Sequence, residues 1–549
     1  MPIIKGSHGC VRHAQATARG QRTVSLPNQS FGYLTFDPTT VTDSTLAEAL
    51  LPADNPATII TLLKSLGSAM IEDTDHRAGN STIPPIYTYW GQFIDHDITA
   101  GTDRPGTEAM SLWTTDILDT TFYPVAPQSV VGEGGIFNLR QPHLNLDSVY
   151  GGGPDDEATI NEQIFCKDEP DAAVDSADPR LALGQNTGDA AAVPDADLPD
   201  PLLRDLPRRA DKSPRIGDER NDENTIVAQL HTAFLRFHNA VVDFLEAKTG
   251  STPTFADAAQ LVRWHYQWLI VNDYLRTICL PQVVDEVLAA DDHFFSARGE
   301  LFMPLEFSVA AFRFGHSMVR ASYDFNQIFS AAPFHLLFEF TGRGGLGGSA
   351  HLPSIWIIDW KRFIDKTSPH PQQFARKIDT NLAMPLIDLP GDGSDLARHL
   401  AQRNLLRGYL LSVPTAQFVA SQLGVSLLSP AELVPADKPA LETAFAAENG
   451  LLQAKTPLWY YILREAEVQT SGNSLGALGS HLVAGTLIGL LQADPTSYLN
   501  QGWSPTAENA VTNGEDPLLT IGDLLHFAGV AAKIHKVFLP FGGGAAPVP

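Results

Sequence analysis

The stretch YWGQFIDHD, residues 89–97, is the most informative feature of this sequence. On an α-helix, Gln92 and His96 are four residues apart and share one face, and Asp95 borders that face. A neutral imidazole beside an amide and carboxylates is suited to moving protons on an oxygen ligand. Taken alone, an Asp-His-Asp on a helix is more often a solvated helix end or a metal site.

Composition limits the classes of partner. The chain has 549 residues and a formal net charge of −26, which argues against nucleic acid or an anionic membrane surface as a partner. No apolar run is as long as a membrane span, and the N-terminus lacks the basic-then-apolar pattern of a signal peptide. We therefore expect a soluble protein. Whether it is secreted or cytoplasmic stays open, and no protein partner is indicated.

Cysteine usage gives little structural information. Cys10, Cys166 and Cys279 are too few and too scattered for a disulfide framework. Because their number is odd, at least one thiol is free or pairs with another chain.

The hydrophobic periodicity predicts a mainly α fold with little β structure, and the length allows either several domains or a single large one. Strand signals are few and short. Helices are predicted at 57–70, 83–100, 225–248, 258–280, 307–321, 395–406, 457–468 and 480–491.

The predicted organisation has three parts. Residues 1–80 form an N-terminal region packed on the main domain, which extends over residues 81–535. Within it, the Pro- and Asp-rich stretch 167–214 has little periodicity, so we expect an acidic surface loop or insertion. Residues 536–549 form a Gly- and Pro-rich tail.

Further motifs follow the first one along the chain. Arg220 and Glu223 precede the predicted 225–248 helix, and His316 ends the apolar run FRFGH, residues 312–316. An apolar helix that presents an imidazole can ligate haem iron, and Gly315 would allow close approach. Taken alone, such a histidine is more often a satisfied core residue. Asn404 and Arg407 share a face of a later predicted helix.

Together, in this order, the motifs resemble the haem pocket of the animal-type haem peroxidases, a family related to the cyclooxygenases. The resemblance covers about residues 80–500. It implies a mostly helical enzyme with a single large haem peroxidase catalytic domain, residues 81–535, and with haem b as cofactor. Its partners would be hydrogen peroxide and small electron donors such as halides, thiocyanate or phenols, oxidised through a ferryl haem intermediate.

The resemblance assigns roles on the peroxide-cleaving side. His96 matches the acid–base histidine, which takes a proton from hydrogen peroxide and returns it to the leaving oxygen. Arg220 matches the arginine that stabilises negative charge as the O–O bond breaks. Gln92 would orient the peroxide or a halide.

On the other side of the haem, the resemblance makes His316 the axial ligand of the iron. Asn404 would accept a hydrogen bond from the second ring nitrogen of His316 and orient it. Arg313 or Arg407 could pair with a haem propionate.

Two carboxylates match those that form ester bonds to haem methyl groups in mammalian members, namely Asp95 and Glu223. Covalent haem is therefore implied. Asn224 stands where a third, methionine link occurs in some members. That link should be absent here, which weakens the expectation of efficient chloride oxidation.

A calcium ion is also implied. Asp97 matches a calcium ligand of the family, and the other ligands come from a loop that resembles residues 141–151. Asn145 and Asp147 depart from the usual residues there. They still offer the oxygen atoms that a hard cation prefers.

Two alternative functions stay open. A haem-dependent fatty-acid dioxygenase of the cyclooxygenase-like branch would need a tyrosine three residues before the axial histidine, and that position is Arg313. A non-catalytic haem-domain scaffold should have lost part of the pocket, yet Gln92, His96, Arg220 and His316 are all present.

Overall fold

The structure is a computed structural model. It describes residues 31–72, 79–103, 122–131, 135–138, 140–151, 178–290, 301–364, 373–389, 398–506, 508–514 and 516–532. The predicted tail at 536–549, Cys10 and Cys166 lie outside these residues. Cys279 is a free, buried thiol.

Helices dominate the described residues. The longer ones are α1 (Asp43–Ala49), α2 (Pro56–Ala69), α3 (Ile86–Ile98), α4 (Thr225–Thr249), α5 (Phe255–Leu269), α6 (Pro281–Ala289), α7 (Leu400–Leu410), α8 (Ala416–Leu423), α9 (Pro439–Ala446), α10 (Leu458–Thr470), α11 (Ala477–Ala493) and α12 (Ile521–Phe527).

Strands are short and pair two by two. A parallel pair joins β1 (Phe31–Gly32) to β4 (Met303–Pro304). The antiparallel pairs are β2 (Gly101–Asp103) with β3 (Ile136–Asn138), β5 (Ser322–Tyr323) with β6 (Ala332–Pro333), and β7 (Thr512–Asn513) with β8 (Asp516–Pro517). The predicted mainly α fold is therefore confirmed.

The helix ends follow local sequence signals. Asn224 caps α4, because its side chain accepts a hydrogen bond from the Val227 N–H, and Gly250 ends this helix in the left-handed region with φ +73°. Thr254 and Asp257 form a capping box at the start of α5. Asn224 and Gly250 thus fix the two ends of α4, the helix that follows the Arg220 motif.

Packing places α3 at the centre of the candidate site. It contacts α4, the 3₁₀ turn Glu219–Asp222 and the segment Ala311–His316. Trp90 and Phe93 on α3 are fully buried. Elsewhere α2 packs on α7, and α11, apolar on nearly all sides, packs on α6 and α10. None of the described helices is long and apolar enough to cross a membrane.

Most predicted helices are present with small shifts of their ends, but the 307–321 prediction is wrong in type and length. The chain there forms a π-helix, Glu306–Ala310, and then a 3₁₀-helix, Ala311–His316. Ala310 leaves helical geometry at φ −123° and ψ −71°, so the regular 3.6-residue spacing breaks at this residue. The predicted 258–280 helix also contains a π turn, Ile270–Tyr274.

The acidic stretch 167–214 is described from residue 178 onward, and this part combines exposed acidic residues, Asp189, Asp197, Asp200 and Asp211, with buried groups. Leu181 and Leu206 are buried, and Arg208 forms ion pairs at 2.9 Å with Asp205 and 2.7 Å with Asp222. The three charges of these ion pairs are buried because they are paired. The division into residues 1–80, 81–535 and 536–549 stays a prediction.

Candidate active site

Helix α3 carries the first motif into the protein interior. It starts after Pro84 and Pro85, and Thr99 closes it by donating its hydroxyl hydrogen to the Asp95 carbonyl oxygen at 2.9 Å. His96 and Asp97 are fully buried on this helix. Gln92 and Asp95 are partly exposed. Within this one motif, His96 and Asp97 are therefore closed off from solvent, whereas solvent reaches Gln92 and Asp95.

Arg220 sits in the 3₁₀ turn Glu219–Asp222, which begins at the N-cap Asp218. Its Nη2 donates to the carbonyl oxygens of His96 at 3.0 Å and Thr99 at 2.7 Å, so the guanidinium is tied to the end of α3. Its Nη1 is buried and makes no hydrogen bond to the described residues. One donor of a fixed guanidinium is thus available to a bound molecule.

Asp218 holds Arg220 in place and was not singled out by the sequence reasoning. Its carboxylate pairs with Arg220 at 2.7 Å and with Arg140 at 2.7 Å. Burial alone would raise the pKa of Asp218, but Arg220 and Arg140 outweigh burial and hold this pKa well below its usual range. A sequence signal existed, because an aspartate before a helical turn is a common N-cap.

The ring of His96 is held by residues that sequence reasoning missed. Its Nδ1 lies 2.8 Å from Asn221 Oδ1, and Asn221 Nδ2 lies 2.8 Å from Nδ1 of His231. Burial, with the nearby Arg220 charge, lowers the pKa of His96 to about 3. The imidazole is therefore neutral at ordinary pH, as a proton acceptor must be.

Gln92 is oriented by Asn224, which donates from Nδ2 to Gln92 Oε1 at 3.0 Å. This leaves the Gln92 Nε2 group, which is buried and makes no hydrogen bond to the described residues. Asn224 thus caps α4 and positions Gln92 at the same time.

His316 ends the 3₁₀-helix and contacts α7 as the sequence predicts. Its Nδ1 lies 2.8 Å from Nδ2 of Asn404, so that the amide nitrogen and not the amide oxygen faces the ring. A half-turn of the amide places Oδ1 there, where it would accept Nδ1–H and leave the Nε2 lone pair for a metal. A Cβ added to Gly315 would meet open space, so there is room beside the ring.

Electrostatics link the two sides of the site. Burial, then Arg313, lowers the pKa of His316 well below its usual value. Burial raises the pKa of Asp95, and Arg220 and Arg313 oppose this rise. Arg313 is thus an electrostatic neighbour of both Asp95 on α3 and His316. Its own Nε donates to the Ser308 carbonyl oxygen at 3.0 Å.

Glu223 and Arg407 are the remaining residues that the sequence assigns to the site. Burial raises the pKa of Glu223 to about 7, and Arg343, 3.8 Å away, opposes this rise. Arg220 is also an electrostatic neighbour of Glu223, as it is of Asp95. Arg407 is buried one turn after Asn404 on α7.

The residues fit a haem group by two observations. Gln92, Asp95, Glu223, Arg313 and His316 are partly exposed, although they lie on elements whose other residues are mostly buried. Two buried donors, Arg220 Nη1 and Gln92 Nε2, make no hydrogen bond to the described residues. An imidazole on one element, with a neutral imidazole, an amide and a guanidinium on others, is a set of groups that suits an iron porphyrin with a peroxide ligand.

A second cluster surrounds Asp97. Its carboxylate accepts hydrogen bonds from the backbone N–H of Leu146 at 3.1 Å and of Ser148 at 3.2 Å. Asn145 Oδ1, Asp147 Oδ1 and the Ser148 hydroxyl are buried without a hydrogen bond to the described residues.

The cluster around Asp97 holds two buried carboxyl groups close to each other, those of Asp97 and Asp147. Burial raises the pKa of Asp97, and burial together with Asp97 raises that of Asp147. Two close buried carboxylates need either a proton or a cation. Among the described residues, no three His, Cys, Asp or Glu side chains converge on one point, so a cation here would also need amide, hydroxyl or carbonyl oxygens.

An apolar cavity of about 520 Å³ lies between described residues on the His316 side. Asn404, Tyr409 and Trp459 are among its lining residues, together with Val309. Trp459 also donates from Nε1 to the Arg313 carbonyl oxygen at 3.1 Å. The cavity therefore borders the residues that hold His316, and sequence reasoning could not have found it.

Comparison with known proteins gives consistent results. The sequence model of the animal haem peroxidase family matches residues 178–337, which include Arg220, Glu223 and His316. The chain is 26% identical over 277 residues to a peroxidase-like protein of Margaritifera margaritifera, a match covering 44% of this chain and 32% of that protein. It is 21% identical over 292 residues to the peroxidasin homolog pxn-1 of Caenorhabditis elegans, covering 46% and 22%. The chain thus spans about a third or less of these curated relatives.

Solved structures share the fold at low sequence identity. Peroxidase A from Dictyostelium discoideum superposes with a TM-score of 0.56 at 15% identity, covering 86% of this chain and 90% of that one. The fatty acid alpha-dioxygenase of Arabidopsis thaliana gives a TM-score of 0.55 at 15% identity, covering 85% and 72%. That of Oryza sativa gives 0.51 at 14% identity, covering 92% and 85%. Residues 178–337 are thus similar to the animal haem peroxidase family, and the fold of the chain is the one shared by these haem peroxidase and dioxygenase structures.

Proposed function

We propose that this protein is a haem peroxidase that uses hydrogen peroxide to oxidise small donors. The observation that carries the proposal is the neutral, buried His96 beside a guanidinium that keeps one donor for a bound molecule. Haem b, when bound, would supply the iron and store the oxidising equivalents. His316, oriented by Asn404, is the residue that would ligate it, and Arg313 and Arg407 are candidates for its propionates.

Three residues would have separate roles in the reaction with peroxide. His96 Nε2 would accept the proton of the attacking peroxide oxygen and return it to the leaving oxygen. Arg220 Nη1 would donate a hydrogen bond to the oxygen on which negative charge develops. Gln92 Nε2 would hold the peroxide, or a halide, in the position that both groups require.

Two carboxyl groups are candidates for covalent attachment, Asp95 and Glu223. Ester links through them would keep haem on the unfolded polypeptide, so that acidified solvent would extract no free haem. Asn224 cannot form the third link to haem that a methionine forms at this position in some family members, and its amide already donates a hydrogen bond to Gln92. Bromide, iodide, thiocyanate and phenols are therefore better candidate donors than chloride.

Replacing Arg220 by alanine should leave haem bound but slow the reaction with peroxide by about 10²–10³-fold, because the charge-stabilising donor is lost. Stopped-flow absorption at the Soret band measures this rate. Arg236→Ala is the matched control, since Arg236 is a largely buried arginine that donates to the carbonyl oxygens of Ala528, Leu203 and Pro199. An Arg220→Ala rate equal to wild type would refute the role.

We also propose calcium at Asp97, Asn145 and Asp147. The proposal is supported by Asn145 Oδ1 and Asp147 Oδ1, which are buried without a hydrogen bond to the described residues, and by the repulsion between the Asp97 and Asp147 carboxylates. Free calcium at one hundred times its Kd should stabilise the fold by about 2.7 kcal/mol. Thermal unfolding in chelator and in calcium measures the difference. Asp147→Asn should unfold at a higher temperature than wild type in chelator, because the repulsion is relieved, and should no longer respond to calcium.

The control for calcium is Asp273→Asn. Asp273 is another buried carboxylate, but it accepts hydrogen bonds from the Tyr87 hydroxyl and the Ile521 N–H. This variant should keep the calcium response. Equal unfolding temperatures of the wild type in chelator and in calcium would remove the metal from the proposal.

A second function is favoured by one observation, the apolar cavity next to Asn404 and Trp459. Such a cavity suits an aliphatic chain, and proteins of this fold include fatty acid alpha-dioxygenases. Arg313, three residues before His316, cannot form the tyrosyl radical that cyclooxygenases use. Oxygen uptake with a fatty acid and no peroxide would support a dioxygenase; its absence favours the peroxidase.

A further inference from the structure

We propose that Asn221, held in turn by His231, is a positioning residue that fixes His96 in the tautomer with its proton on Nδ1. The lone pair of the ring is then on Nε2, the nitrogen that would receive a proton from the substrate. This inference rests on the proposed peroxidase function and adds two residues to its site.

The contacts form a continuous chain of side chains. His96 Nδ1–H donates to Asn221 Oδ1 at 2.8 Å, and Asn221 Nδ2 donates to His231 Nδ1 at 2.8 Å. All three side chains are fully buried. The two contacts are consistent with each other: with the amide oxygen facing His96, the amide nitrogen faces His231, and Nδ1 of His231 then accepts its hydrogen.

The backbone makes this arrangement rigid. Asn221 follows Arg220 in the 3₁₀ turn Glu219–Asp222, and Asp218 anchors the turn by accepting the Arg220 N–H at 2.9 Å. One turn therefore delivers both the guanidinium and the group that orients the imidazole. His231 lies in α4, and its ring packs edge-on against Phe93 of α3, with ring centroids 6.0 Å apart.

An amide is chemically suited to this task. It accepts the Nδ1 hydrogen and sets the ring plane, yet it has no charge that would favour the imidazolium. Asn221 lies between His231 and His96, so His231 would affect the reaction with peroxide only through Asn221. The effects of changing the two residues should therefore not add.

The first measurement is the tautomer of His96 in the full-length protein labelled with ¹⁵N-histidine. The chain has 17 histidines, so the His96 signals are assigned by their loss in His96→Gln. Wild type should show protonated Nδ1 and unprotonated Nε2. Asn221→Ala should show a mixture of tautomers, and Asn221→Asp, which keeps an acceptor, should retain the Nδ1–H form.

The second measurement is the association rate of hydrogen cyanide with the haem-loaded ferric protein, since binding requires a base to take the cyanide proton. Asn221→Ala should slow association by about 10–100-fold, with the Soret band retained. His231→Leu should slow it less, and the double variant should match Asn221→Ala alone. Asn326→Ala is the control: Asn326 is equally buried, but its side chain bonds to backbone groups of residues 328, 329, 355 and 357.

Either of two results would overturn the inference. One is a wild-type His96 with its proton on Nε2; the other is an Asn221→Ala variant with an unchanged tautomer and cyanide rate. If Asn221→Ala does not fold, Asn221→Leu and His231→Leu carry the same comparison, with Asn221→Asp as the variant that keeps the acceptor. A wild type that binds cyanide but ignores peroxide would refute the peroxidase function and leave the tautomer result standing.

Discussion

Replacing His316 by alanine should remove haem from the protein. His316 is the imidazole that Asn404 orients, and its pKa is well below the usual value, so its ring is neutral and able to ligate iron. We expect the ratio of Soret to protein absorbance to fall to that of haem-free protein. His316→Gly should recover the Soret band when imidazole is added, because the free ligand can occupy the vacated space.

The control for this experiment is His481→Ala. His481 is a partly exposed histidine whose Nδ1 lies 2.8 Å from the Ala477 carbonyl oxygen. It should keep its haem. A His316→Ala protein with full haem content and full turnover would show that another residue is the ligand.

Replacing His96 by leucine should have the largest effect on the chemistry. Haem should stay bound, while the reaction with peroxide should slow by about 10²–10⁴-fold, because the proposed acid–base group is lost. Stopped-flow absorption measures the rate, and Arg236→Ala again serves as the control. A His96→Leu rate equal to wild type would remove the acid–base role.

The pH dependence of wild type gives an independent test of His96. Its folded pKa is about 3, below the ordinary 6.5, so the base stays unprotonated as pH falls through 6.5. The rate should therefore be flat across this range and fall only as pH approaches 3, provided that the protein stays folded. A rate that halves near pH 6.5 would mean that the catalytic base is a different group or is far less buried.

Sequence reasoning was most effective where function depends on local spacing. The α3 motif was predictable, because helical periodicity alone places Gln92 and His96 on one face. The contact between His316 and Asn404 was also anticipated, but only from the resemblance. Their roles stay predictions until they are measured.

Long-range contacts were beyond the sequence. Asn221 meets His96 across 125 positions, and no periodicity relates them. Arg208 pairs with Asp205 and Asp222 in a stretch whose acidic composition predicts exposure, because composition does not reveal which charges are paired. The π- and 3₁₀-helices before His316 were missed for a similar reason: apolar periodicity does not distinguish them from an α-helix.

The most direct test of the proposed function is stopped-flow absorption of haem-loaded wild-type protein mixed with hydrogen peroxide, and then with bromide or a phenol. We predict a fast change of the Soret band on adding peroxide and a return to the ferric spectrum on adding the donor, with His96→Leu slow in the first step only. A normal ferric Soret band that does not respond to peroxide would contradict the peroxidase function.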